Sequence, residues 1–129
     1  MVNEYRNSIN LGKIEVSRND LKLTDGTYKF SIREFNEIKD LIDNEWGFPE
    51  WRFPTKKEFE YIHSIWIDLD GLGLARNSDY WIYGGPIPHP INDGPLWELY
   101  PSAIMNGNIL EFYDMSNAET LRIRLVKDI

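Results

Sequence analysis

The chain has 129 residues, 42% of them hydrophobic and 14% aromatic, with no cysteine and a formal net charge of −7. That is one domain's length, able to bury a core without cross-links, and too aromatic for a disordered chain. The missing cysteine excludes disulfides, thiolate metal sites and a cysteine nucleophile. Basic residues are scattered, apart from Lys56-Lys57 and the pair Arg122 and Arg124, which argues against nucleic acid as a partner.

Met1 to Arg6 contain no basic region followed by an apolar run, so no signal peptide is expected. Cytoplasmic residence is slightly favoured, with a mature surface domain as the alternative. The longest apolar runs are a few residues, far short of a membrane span, so no membrane insertion is expected.

Taken in chain order, the first 30 residues read as short strands and turns. Lys13-Ile14-Glu15-Val16-Ser17 alternates polar and apolar residues, as a half-buried strand does. Asp25-Gly26 marks a turn before Tyr28-Lys29-Phe30. Ser31-Ile32-Arg33-Glu34 then forms a capping box, followed by Ile32, Phe35, Ile38, Leu41 and Ile42 as one apolar helical stripe. The helix is expected to end between Asn44 and Gly47. A second capping box, Thr55-Lys56-Lys57-Glu58, opens a helix whose buried face is Phe59, Ile62 and Ile65.

From about residue 66 the chain reads as β-rich. Candidate strands are Tyr80-Trp81-Ile82-Tyr83, Leu96-Trp97-Glu98-Leu99-Tyr100, Ile109-Leu110-Glu111-Phe112-Tyr113 and residues 121–126. In the last, Leu121, Ile123 and Leu125 face one way and Arg122 and Arg124 the other. Asn106-Gly107 is a hairpin turn signal. Helices followed by strands point to an α+β domain, taken as a single domain over 1–129. Residues 84–95 hold four prolines and three glycines, too many breakers for a plain connection, and loops of this kind are often functional.

Trp51-Arg52-Phe53-Pro54-Thr55-Lys56-Lys57-Glu58-Phe59 resembles the W-R-L-P-T-x-x-E-L signature of a bacterial domain family of unknown function with a C-type-lectin-like fold. Tyr80-Trp81 resembles that family's Y-W-S strand, and Leu121 to Leu125 its closing V-R-C-V-R strand. The resemblance covers about 30–129. Phe53 stands for the usual Leu, Ile82 for a common Ser, and Ile123 for the Cys. The resemblance implies paired N- and C-terminal strands, two helices, a twisted antiparallel sheet and a long loop region that meets ligands.

Several constellations read more simply as structure. Trp51 is expected in the core, with Arg52 tying backbone carbonyls or a carboxylate near the helix start. Calcium-dependent sugar binding in this fold relies on E-P-N or Q-P-D and W-N-D motifs, which do not occur; no cofactor and no metal are implied. Asp68-Leu69-Asp70-Gly71-Leu72-Gly73 lacks the oxygen donors of a calcium loop and reads as a turn. His63 borders the helix's apolar face. The formylglycine-generating branch of the fold relies on cysteine, which this chain lacks.

The ligand-binding residues expected are Tyr83, His89, Asn92, Asp93 and Trp97; no catalytic residue is assigned. Alternation would place Trp81 and Tyr83 on one face, both buried or both exposed. The leading reading is a non-catalytic recognition module that binds a protein or glycan through 84–95. A small assembly subunit, packing on a partner through an aromatic patch or sheet edge, is the alternative. A hydrolase with converging carboxylates comes third.

Overall fold

A computed structural model describes residues 8–17, 19–46, 51–65, 77–88, 98–106 and 109–129. The elements in chain order are β1 (Ile9–Asn10), β2 (Ile14–Val16), α1 (Ile32–Trp46), α2 (Lys56–Ile65), β3 (Asn77–Trp81), β4 (Ile87–Pro88), β5 (Glu98–Asn106), β6 (Ile109–Ser116) and β7 (Val126–Asp128). The domain is α+β. Its strands form two small antiparallel sheets, where one was expected: β1-β2-β7, and β3 and β4 on β5, with β6 also paired to β5.

Both helices begin where side chains replace missing backbone partners. Ser31 Oγ accepts the Glu34 N–H at 3.1 Å while Glu34 Oε1 accepts the Ser31 N–H at 3.2 Å. Thr55 Oγ1 and Glu58 Oε1 repeat the exchange at 3.2 and 2.8 Å. α1 ends at Trp46, within the expected Asn44 to Gly47, and Trp46 packs its ring edge-on against Trp51, with centroids 5.0 Å apart. Ile32, Phe35 and Ile42 are buried on the expected stripe.

Residues 121–126 hold the molecule together. Their carbonyls serve separate segments: Leu121 accepts from Phe30, Arg122 from Trp81, Ile123 from Leu21, Leu125 from Ser17 and Val126 from Arg52. Only single bridges and β7 are regular strand here. The alternation survives in the apolar residues, since Leu121, Ile123 and Leu125 lie in one core with α1, Trp51 and Trp81. A second core joins Ile14, Val16, Phe59, Ile62, Tyr80, Met105 and Val126. Consecutive Tyr80 and Trp81 point to opposite faces of β3, so each enters a different core.

β2 pairs with β7 at Ile14↔Asp128 and Val16↔Val126, which ties the N-terminal segment to the C-terminal strand. The β5–β6 hairpin runs in register from Asn106↔Ile109 to Leu99↔Ser116, as the Asn106-Gly107 signal implies. β5 runs on past the expected end at Tyr100 to Asn106 and takes in Pro101, opposite Asp114. No helix among the described residues is long and apolar enough to cross a membrane.

Candidate functional site

Of the expected ligand-binding residues, Tyr83 falls within the described residues; His89, Asn92, Asp93 and Trp97 lie outside them, as does the Asp68 to Gly73 turn. β3 ends at Trp81. The Ile82 N–H donates to Pro101 O at 3.2 Å, and the Tyr83 N–H leaves the sheet to donate to Pro54 O at 2.8 Å. The side-chain alternation therefore stops, and Trp81 and Tyr83 part company. Trp81 is buried and donates its indole N–H to Phe30 O at 2.7 Å, whereas Tyr83 is 63% exposed. The expectation of a shared face is corrected by the strand's end.

Two glycines press the next turn onto β5. Gly84 has φ +140° and Gly85 φ +76°, and the Gly85–Pro86 peptide is cis. A Cβ on Gly84 would meet Pro101 Cγ at 2.9 Å; one on Gly85 would meet Tyr100 at 3.0 Å and Leu99 O at 3.1 Å. Close approach and positive φ both require glycine here. β4 then pairs with β5 at Ile87↔Leu99. What reads from sequence as the start of a loop is a short segment laid flat on the sheet, with Tyr83 standing out at its head.

Elsewhere, among the described residues, two clusters join charged side chains from distant segments. In the first, Arg52 donates to both Glu58 oxygens at 2.7 and 2.9 Å, to Asp128 Oδ1 at 2.9 Å and to Phe53 O at 3.1 Å. The two parallel bonds to Glu58 are the strong bidentate form. They hold its carboxyl below the usual glutamate range, and the same contacts raise the Arg52 pKa. Arg52 thus clips the start of α2 to β7, as the sequence suggests for a residue beside a helix cap.

The second cluster was not foreseen. Asp20 accepts from the Tyr80 hydroxyl at 2.9 Å, from Arg124 Nε and Nη2 at 3.0 and 2.7 Å, and from Arg122 Nη1 at 3.0 Å. Arg124 also donates to Ser17 O at 3.1 Å and is 0% exposed. It does not face solvent opposite the apolar residues, because Ser17 and Asp20 take its donors. A buried guanidinium is tolerable when a carboxylate and carbonyls surround it.

Arg122 behaves differently. Its side chain is 26% exposed and its guanidinium lies 4.8 Å from the Tyr28 ring centroid. It borders an open cleft of about 470 Å³ with Asn19, Asp20, Lys22 and Tyr28. Its Nε is buried with no hydrogen-bond partner. The available signal was the Arg122/Arg124 pair on one face of an otherwise apolar segment in an acidic chain. Nothing in the spacing pointed to Asp20, about a hundred positions earlier.

No family model, curated protein or solved structure matches the chain.

Proposed function

We propose that the chain is a non-catalytic recognition module of C-type-lectin-like fold, which meets a protein or glycan through Tyr83 and the segment that follows it to residue 95. The observation that carries this reading is Tyr83 itself, a large aromatic side chain 63% exposed on a backbone pinned by Pro54, Gly84 and Gly85. A rigidly mounted tyrosine offers much contact area for little loss of side-chain freedom. The fold assignment draws support from the W-R-x-P-T motif at the head of α2 and from the antiparallel pairing of β2 with β7.

The inward-facing carboxylates support binding over catalysis. Glu58 is held below its usual range by Arg52, the opposite of the raised value a general acid needs. Asp20 accepts from two arginines and a tyrosine.

The test compares three proteins on a glycan array and in capture from lysate: the native chain, Tyr83→Ala, and Tyr61→Ala as a control at another exposed tyrosine. The same ligand is expected to be retained by the native chain and the control and lost by Tyr83→Ala. Equal retention by all three contradicts the reading.

An assembly role is favoured by one other observation. β6 pairs with β5 on one side, and among the described residues no strand covers its other edge, where Ile109 and Tyr113 are exposed. Long uncovered edges invite pairing. Sedimentation of the native chain beside Ile109→Lys decides it: an oligomer dispersed by the variant favours assembly, and a monomer in both removes it.

A further inference from the structure

We infer that the cleft between residues 19–28 and Arg122 binds a carboxylated ligand of monosaccharide size, a sugar acid by chemistry. This site is built from other elements than the Tyr83 surface and stands independently of it.

Size gives the first argument. About 470 Å³ lies within the roughly 300–1,000 Å³ typical of small-molecule sites and is larger than a bare oxyanion needs.

Charge gives the second. The chain carries a net −7, yet among the described residues this cleft is lined by Lys22 and Arg122 with Asp20 as the acid. Asp20 is already shared between Arg122 and the buried Arg124. Lys22 and Arg122 thus bring positive charge to the wall of an otherwise acidic protein, and a concave surface concentrates that field toward solvent.

Donor capacity gives the third argument, and the most specific. A guanidinium has five N–H donors in a planar fork. Arg122 commits Nη1 to Asp20 and rests its face against Tyr28; its Nε is buried, while the side chain as a whole stays 26% exposed at the cleft wall. Arg52, by contrast, uses both terminal nitrogens on carboxylates and a carbonyl. The part of the guanidinium exposed at the cleft wall can meet a ligand carboxylate while Nη1 stays on Asp20. Lys22 lines the same cleft and brings a second positive charge to it.

The remaining lining suits a sugar body. Tyr28, 43% exposed, offers an apolar wall for ring C–H groups, and the Asn19 amide both donates and accepts for hydroxyls. Asp20 keeps Arg122 in place while its own oxygens are filled by protein donors.

The test is an amide-resolved NMR titration of the full chain with D-glucuronate, with D-glucose as the neutral match and inorganic phosphate as the bare anion. Glucuronate is expected to shift the amides of Lys22, Tyr28 and Arg122, to bind more weakly as salt rises, and to bind about tenfold more weakly to Arg122→Gln. That variant leaves Asp20 with Arg124 and Tyr80, so folding is retained; Lys22→Gln, at an exposed position, provides a second variant with a smaller loss. Tyr83→Ala is expected to bind glucuronate as the native chain does. The inference is overturned by an absence of shifts with glucuronate, by equal shifts with glucose, by phosphate binding as tightly as glucuronate, or by unchanged binding in both variants.

Discussion

Two arginine clusters in this domain share a chemistry and differ in how much of it the fold uses. Around Arg52, two carboxylates and a carbonyl take the guanidinium's terminal donors, and the result is a clip between α2 and β7. Around Asp20 the protein supplies two arginines to one carboxylate. Arg124 is enclosed and Arg122 is left part-used at the edge of a cleft. An arginine whose terminal nitrogens are all taken holds structure together; one that gives a single nitrogen to a shared carboxylate and stands part-exposed at a cleft is equipped for a ligand.

The comparison breaks first if Arg124 is dispensable. Arg124→Leu removes one partner of a buried pair and strips the Ser17 carbonyl of its donor, and is expected to cost about 3–5 kcal/mol in urea unfolding. A loss below about 1 kcal/mol would mean that Asp20 is satisfied without it.

Arg52→Gln is expected to cost about 1–3 kcal/mol, the worth of charge-assisted hydrogen bonds, and it carries a pH signature. Glu58 has its carboxyl depressed in the folded state. The folded state therefore releases this proton more readily than the unfolded one. The stability this contributes is complete above the ordinary value of 4.5 and is lost as pH falls through the folded value. Native protein should lose stability across that acid window, and Arg52→Gln should lose less across the same window. Parallel acid-side slopes would detach Glu58 from Arg52.

Smaller still, Thr55→Ala removes the cap that receives the Glu58 N–H, with an expected cost of about 1 kcal/mol. It sharpens the comparison by separating the helix cap from the ionic clip. Arg122→Gln should change stability least, by less than about 1 kcal/mol, as for a partly exposed pair.

The features legible in the sequence are those decided within a few residues. Both capping boxes formed because their partners are three positions apart, and the strands on either side of Asn106-Gly107 pair with each other. The role of Arg52 was readable from its place beside a cap. Three things were not. The burial of Arg124 depends on Asp20 and Ser17, which chain spacing cannot locate. The separation of Trp81 from Tyr83 depends on where β3 stops, set by the Tyr83 N–H turning to Pro54. The full length of β5 was hidden by Pro101, tolerated here although proline lacks the ladder donor. The cleft around Arg122 combines the first of these difficulties with a turn segment, residues 19–28, that has no periodicity to read.

The most direct measurement sets Arg52→Gln beside Arg122→Gln, with urea unfolding and glucuronate titration on each. If the contrast between the clusters is right, the results cross: Arg52→Gln is destabilised and binds glucuronate like the native chain, while Arg122→Gln keeps its stability and binds about tenfold more weakly. Two variants equally destabilised, or Arg122→Gln binding as tightly as the native chain, would contradict it.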